Sequence, residues 1–133
     1  MNKELLIEKA LEARERAYCP YSKFKVGAAV VFEDGNIYTG CNVENASFGA
    51  TNCAERTAIF NAVEKGNRSL KAIALVGDVN KYTYPCGICR QVIAEFAESP
   101  QIKIYIVKNQ NDYLEFTLEE ILPGAFTVKD LEV

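Results

Sequence analysis

The 133-residue sequence contains no histidine. That removes the commonest metal ligand and the commonest general base together, so any chemistry must run on cysteine, carboxylate, lysine, tyrosine and backbone groups. No apolar run approaches the ~18 residues of a membrane-spanning helix. Met1-Asn2-Lys3-Glu4 leads into a polar, periodic segment rather than the apolar stretch of a signal peptide. No membrane partner is expected, and the cytoplasm is the expected location. Positive charge is not in excess: 15 lysines and arginines face 18 acidic residues, for a net charge of −3. Proteins that grip nucleic acid through its phosphates show a basic face, so a polymeric nucleic-acid partner is disfavoured. Repeats, low-complexity tracts and linkers are also missing, which points to a single domain over residues 1–133.

Five cysteines are present, an odd number that cannot pair completely within one chain. In a reducing compartment they are not expected to form a disulfide framework. With 49% hydrophobic residues the chain can bury a core without one.

Periodicity predicts a helix over residues 3–18, with Leu6, Ala10, Ala13 and Ala17 on one face, stopped by Cys19-Pro20. Residues 24–32 read as a strand. Phe24, Val26, Ala28, Val30 and Phe32 share one face, and Gly27, Ala29 and Val31 make the other apolar too, so both sides are expected to be covered. Glu33 to Asn36 is a hairpin turn, and Ile37 to Val43 returns. A second helix is predicted from Cys53 to Glu64, with Lys65-Gly66 as its stop. Lys71 to Gly77 is a strand, a third helix follows Pro85 to Ala97, and strands follow at 102–107 and 113–117. Thr117 to Glu120 has capping-box spacing for a short last helix. The order α-β-β-α-β-α-β-β-α implies an α/β fold: a three-layer αβα sandwich around a mixed five-stranded sheet.

Two segments carry the chemistry: Cys53-Ala54-Glu55 and Pro85-Cys86-Gly87-Ile88-Cys89. Each is placed at a helix N-terminus, where unpaired N–H groups and the helix dipole favour thiolate, the form that binds metal. Cys86 and Cys89, three apart, project from one helical face. Thr51 or Asn52 could cap the other helix and aim Cys53 inward. Three thiolates fill three corners of a tetrahedral zinc site and leave the fourth for water, as a catalytic site does. Bound zinc lowers the pKa of such a water to about 7. Glu55, two residues from the first ligand, is placed to move its proton. Cys-x-Glu followed by Pro-Cys-x-x-Cys is the signature of zinc nucleobase deaminases. Three thiolates leave the metal with net negative charge, and Arg56 is placed to offset it by donating hydrogen bonds to sulfur.

At these residues the chain resembles the small, homotetrameric, zinc-dependent cytidine deaminases. The resemblance runs from about Ala17 to Phe126. It rests on Tyr21-Ser22-Lys23-Phe24-Lys25-Val26-Gly27-Ala28-Ala29, Gly40 to Ala46, Asn52 to Arg56, Pro85 to Gln91 and Leu122-Pro123-Gly124-Ala125-Phe126. It implies that Asn42 and Glu44 hydrogen-bond ribose hydroxyls, that Phe24 packs on the pyrimidine, and that backbone groups of Ala54 and near Pro85 address the base edge and the leaving ammonia. It implies that Phe126 reaches a neighbouring subunit's pocket, so that each site is completed across an interface of a homotetramer. One Zn²⁺ per subunit and a small nucleoside substrate follow from the same likeness. Cysteine at the first ligand position matches the tetrameric branch. Cys19 and Cys41 fall outside the metal pattern and read as small buried hydrophobes.

The implied reaction is hydrolytic deamination of cytidine and 2′-deoxycytidine, with Glu55 as the proton carrier. A deaminase of a nucleoside antibiotic such as blasticidin S would share the zinc site but differ in the sugar-reading segment. A structural zinc module would need a fourth ligand from Cys19 or Cys41. A nucleic-acid editor would want a basic surface, and a redox Cys-x-x-Cys leaves Cys53-x-Glu55 unexplained.

Overall fold

In the computed structural model, which describes residues 1–131, Asn2 accepts a hydrogen bond from the Leu5 amide (3.1 Å) and caps helix α1, Lys3–Arg14. Glu132 and Val133, the end of the expected domain, lie outside the described residues. The helix ends at Arg14 rather than continuing to residue 18. Tyr18 instead donates its amide to the Asn42 carbonyl (3.0 Å) and accepts from the Glu44 amide (2.9 Å). This tertiary pairing wins over another helical turn and takes Ala17 off the buried stripe of Leu6, Ile7, Ala10 and Ala13.

Strand β1, Gly27–Phe32, is buried at every position, as expected of a strand covered on both faces. Gly35, at φ +79°, turns the chain into β2, Ile37–Cys41. Both strands are shorter than predicted, and one side chain accounts for it. The Asn42 amide accepts from the Val26 amide (2.9 Å) and donates to the Phe24 carbonyl (2.8 Å). It thereby replaces the backbone ladder that would have carried the strands on through residues 24 and 43.

Helix α2 spans Ala54–Glu64, β3 Leu70–Val76, α3 Gly87–Phe96, β4 Lys103–Asn109, β5 Asp112–Thr117 and α4 Leu118–Ile121. The predicted capping box at Thr117 and Glu120 is formed. Short 3₁₀ turns occupy Phe48–Ala50 and Val128–Leu131.

The sheet order is β2-β1-β3-β4-β5. Strand β1 is antiparallel to β2 and β3, β3 and β4 are parallel, and β5 returns antiparallel to β4. Alternation along β1 sends Ala29 and Val31 to the layer under α1, and Ala28, Val30 and Phe32 to the layer under α2 and α3. The αβα sandwich with a mixed five-stranded sheet is therefore the fold.

Helix α2 lies directly on β2. A Cβ at Gly40 would overlap the Ala58 amide nitrogen and crowd the Ala54 carbonyl (2.8 Å). Both obstacles are backbone, which cannot rotate away. Gly40→Ala is expected to lower the unfolding free energy by about 3 kcal/mol, read as a lower urea midpoint at unchanged slope. An unchanged midpoint would mean that α2 can lift off the sheet without loss.

Candidate active site

The N-termini of α2 and α3 bring Cys53, Cys86 and Cys89 together. Cys53 and Cys86 are the N-cap residues of their helices, and Cys89 lies one turn into α3. The three sulfurs lie within 4.8 Å of one another, with Cys53 Sγ 3.9 Å from Cys86 Sγ. Tetrahedral zinc with Zn–S bonds of about 2.3 Å needs sulfurs roughly 3.8 Å apart. The donor set fits that ion in spacing and in chemistry. Among the described residues no fourth cysteine, histidine or carboxylate joins the group. Cys41 Sγ instead contacts the Arg16 carbonyl (3.4 Å).

The expected caps of α2 are not where the sequence puts them. Thr51 Oγ1 accepts from the Asn45 amide (3.1 Å) and does not cap the helix. The Asn52 amide donates to Thr57 Oγ1 (3.0 Å), which donates to the Cys53 carbonyl (3.0 Å). A threonine one turn inside the helix thus ties down the loop before it, and Cys53 keeps its sulfur free of capping.

Charge in the metal-free cluster is uneven. The hydrogen bond with Cys89 pulls the Cys53 thiol down to about 5 against the opposing effect of burial. Arg56 assists, its Nη2 donating to Cys53 Sγ at 3.3 Å. The same bond, with burial and the nearby Glu55 charge, pushes Cys89 up. Cys89 therefore keeps its proton until a cation displaces it, so metal uptake by this trio releases protons.

Glu55 is 4% exposed. Burial, with the charge of Cys53 adding to it, raises its carboxyl to about 7. Glu55 and Asn42 are two of the three buried polar residues of the described chain. Both line a cavity of about 310 Å³, within the range of small-ligand sites. Cys53, Ala54, Cys86, Phe24 and Glu44 share its wall.

Glu44 is heavily engaged. One carboxylate oxygen accepts from the Tyr21 and Ser22 amides (3.1 and 3.0 Å), the other from Ser22 Oγ. These bonds, the Ser22 hydroxyl first, hold its carboxyl below the usual range. Asn42 keeps one N–H and one carbonyl lone pair beyond the two bonds that tie it to the backbone.

Phe126 does not line this cavity. It is 58% exposed, and its carbonyl accepts from the Gln91 side chain. The Pro85 carbonyl accepts from Arg90 Nε at 2.8 Å, while Arg90 Nη1 donates to the Ile121 carbonyl. Wall residues that sequence reasoning did not single out are Ser22, Val26, Leu75, Thr83 and Tyr84, and Thr51 and Asn52, read there as caps, also line it. Adjacency to Pro85 could have suggested Thr83 and Tyr84, whereas Leu75 carries no sequence signal. A larger concavity of about 410 Å³, between the end of α3 and residues 118–129, has no cysteine and no buried polar residue on its wall.

No described helix is long and apolar enough to cross a membrane. The profile of the cytidine and deoxycytidylate deaminase zinc-binding region matches residues 1–106. The chain is 50% identical over 131 residues to a cytidine deaminase of Halalkalibacterium halodurans, covering 98% of each chain. It is 53% identical to that of Sporosarcina psychrophila, covering 98% of this chain and 96% of the other. The crystal structure of cytidine deaminase from Burkholderia pseudomallei superposes with a TM-score of 0.86 at 49% identity, covering 95% of this chain and 100% of the other.

Proposed function

Because the chain belongs to the family of the cytidine and deoxycytidylate deaminase zinc-binding region, we propose that it hydrolyses free cytidine and 2′-deoxycytidine to uridine and 2′-deoxyuridine, releasing ammonia. The observation that carries this reading is the placement of Glu55. A buried carboxyl with a pKa raised to about 7 stands two residues from Cys53, on a nucleoside-sized cavity that also meets Cys86. Its chemistry returns cytosine nucleosides to the uracil pool, which is pyrimidine salvage. The chain acts as one catalytic domain in the cytoplasm, where its five cysteines, all free in the fold, stay reduced.

Cys53, Cys86 and Cys89 hold one zinc ion. When bound, zinc supplies a Lewis acid that makes water nucleophilic at neutral pH. Glu55 takes one proton from the attacking water and delivers it to N3 of the base, then takes the second proton from the new C4 hydroxyl and passes it to the amino group, which leaves as ammonia as the C4 carbonyl forms. Arg56 offsets the charge of the three thiolates through its bond to Cys53 Sγ. The Ala54 backbone addresses the edge of the base.

Phe24 forms one wall of the cavity for the pyrimidine. Asn42 and Glu44 read the sugar with the hydrogen-bonding capacity left over from their backbone contacts. Phe126, exposed and away from its own chain's cavity, serves the site of a neighbouring subunit in a homotetramer. Neither a nucleic acid nor a membrane takes part.

An absorbance assay with cytidine, 2′-deoxycytidine, cytosine and blasticidin S, each with and without a chelator, tests the reading. The two nucleosides should turn over, bare cytosine should not, and chelation should abolish activity. Preferential turnover of blasticidin S, or full activity after metal removal, would overturn it.

A further inference from the structure

Phe24 and Glu44, distant in sequence, converge on a single hydroxyl. Ser22 Oγ donates to the Glu44 carboxylate and accepts from the Phe24 amide at 3.0 Å. The Ser22 and Tyr21 amides close the other side of the same carboxylate. Between Ser22 and Phe24, Lys23 is the one described non-glycine residue with positive φ, at +61°. A lysine in the left-handed region costs energy, and it persists where its surroundings over-determine it. Here the surroundings are the bond of the Lys23 amide to the Cys19 carbonyl (3.0 Å) and the Ser22 hydroxyl, which spans the strained residue to the Phe24 amide and is itself anchored on Glu44. Ser22, Phe24 and Glu44 all line the cavity that holds Cys53 and Glu55.

We infer that Ser22 is a positioning residue that fixes the spacing between the aromatic wall at Phe24 and the carboxylate at Glu44. This rests on the nucleoside reading above and deepens it. A nucleoside presents a flat base and a polar sugar at a separation set by its glycosidic bond. A site that reads both must hold its two walls at a matching separation before the ligand arrives, or spend binding energy arranging them. The Asn42 amide ties the Phe24 carbonyl to the strand end that carries Glu44, and the carboxylate takes the Tyr21 and Ser22 amides, but it is the Ser22 hydroxyl that bonds both the carboxylate and the Phe24 amide. The Ser22 hydroxyl supplies the link by serving as donor to one wall and acceptor from the other. Glu44 therefore has two duties, fastening the loop and meeting the ligand, and Ser22 lets one carboxylate perform both. Ser22 is exposed and remote from the hydrophobic core, so its removal should leave the fold and the zinc cluster intact.

The test is Ser22→Ala in the full-length zinc-loaded protein, with Ser22→Thr as the conservative control and Glu44→Gln as the second arm of a double-mutant cycle. Losing a hydrogen bond to a charged partner is expected to raise KM for cytidine about tenfold, with kcat within about twofold. Ser22→Thr, which keeps the hydroxyl, should restore most of the affinity. In the Glu44→Gln background, Ser22→Ala should add less than about twofold, because the two act through one contact. Calorimetric binding of uridine should show the same pattern without turnover.

An unchanged KM and uridine affinity, a fall in kcat alone, or full additivity with Glu44→Gln would each overturn the assignment. The wild-type assay with cytidine keeps the two readings apart. Absent wild-type turnover rejects the proposed function, whereas normal wild-type turnover with an indifferent Ser22→Ala rejects only the role of Ser22.

Discussion

Glu55→Gln is expected to lower turnover of cytidine by about 10²–10⁴-fold while zinc stays bound. The amide has almost the shape of the acid, so the first turn of α2 and the packing around this buried position are retained. What it lacks is a proton that can be given up and taken back. In the metal-free protein the carboxyl is raised to about 7, first by burial and then by the charge of Cys53.

A second consequence separates this account from simple damage to the site. In the metal-free protein the folded pKa of Glu55 lies above the ordinary 4.5. The folded state therefore holds this proton more tightly than the unfolded chain does. Its stabilising contribution is complete below pH 4.5 and fades as the pH rises through about 7. Glutamine has no proton to lose. Chelated wild type should lose about 3 kcal/mol relative to chelated Glu55→Gln across that window, measured by urea unfolding at several pH values. Parallel pH profiles for the two proteins would show that Glu55 is not held neutral by burial. Wild-type turnover by the variant would remove it from the reaction.

Features set by near neighbours were legible in the sequence, and those set by distant partners were not. The capping box needs only Thr117 and Glu120, three residues apart, and it forms as read. The two apolar faces of β1 follow from its alternation and hold. Strand β1 was expected to begin at Phe24 because its apolar alternation starts there. It begins at Gly27 because an amide from Asn42, distant in sequence, takes over the hydrogen bonds of residues 24 and 26. Helix α1 ends early for a similar reason, since Tyr18 finds a partner at residues 42–44.

The site divides in the same way. Cys86 and Cys89 share a helix, and their convergence could be read from spacing. That Glu44 fastens the loop at residues 21–22 depends on how the chain between them folds back, which no local pattern records.

Cys53→Ala is expected to abolish zinc binding, and activity with it, by more than the loss of one ligand in three suggests. Three thiolates around a divalent ion carry a net charge of −1, which the Arg56 guanidinium neutralises through its bond to Cys53 Sγ at 3.3 Å. Without that sulfur, two thiolates only balance the divalent ion, and the Arg56 guanidinium leaves the site with a net positive charge. Arg56 Nε is already buried without a hydrogen-bond partner, so the arginine would keep only its interaction with Cys89 to balance its charge beside the metal position. Repulsion between guanidinium and zinc then adds to the missing bond. Zinc measured by atomic absorption should fall from one per chain to below about a tenth, since each kcal/mol of lost binding multiplies through the affinity.

Thiol titration supplies the independent count. Of five cysteines, the three in the cluster should be protected in the zinc-loaded wild type and two should react, with all five reactive after chelation and unfolding. Cys19→Ser should change neither the metal content nor the count of protected thiols. Four protected thiols in the wild type, or stoichiometric zinc in Cys53→Ala, would mean that another protein atom closes the coordination sphere. The corner that a reacting water needs would then be taken.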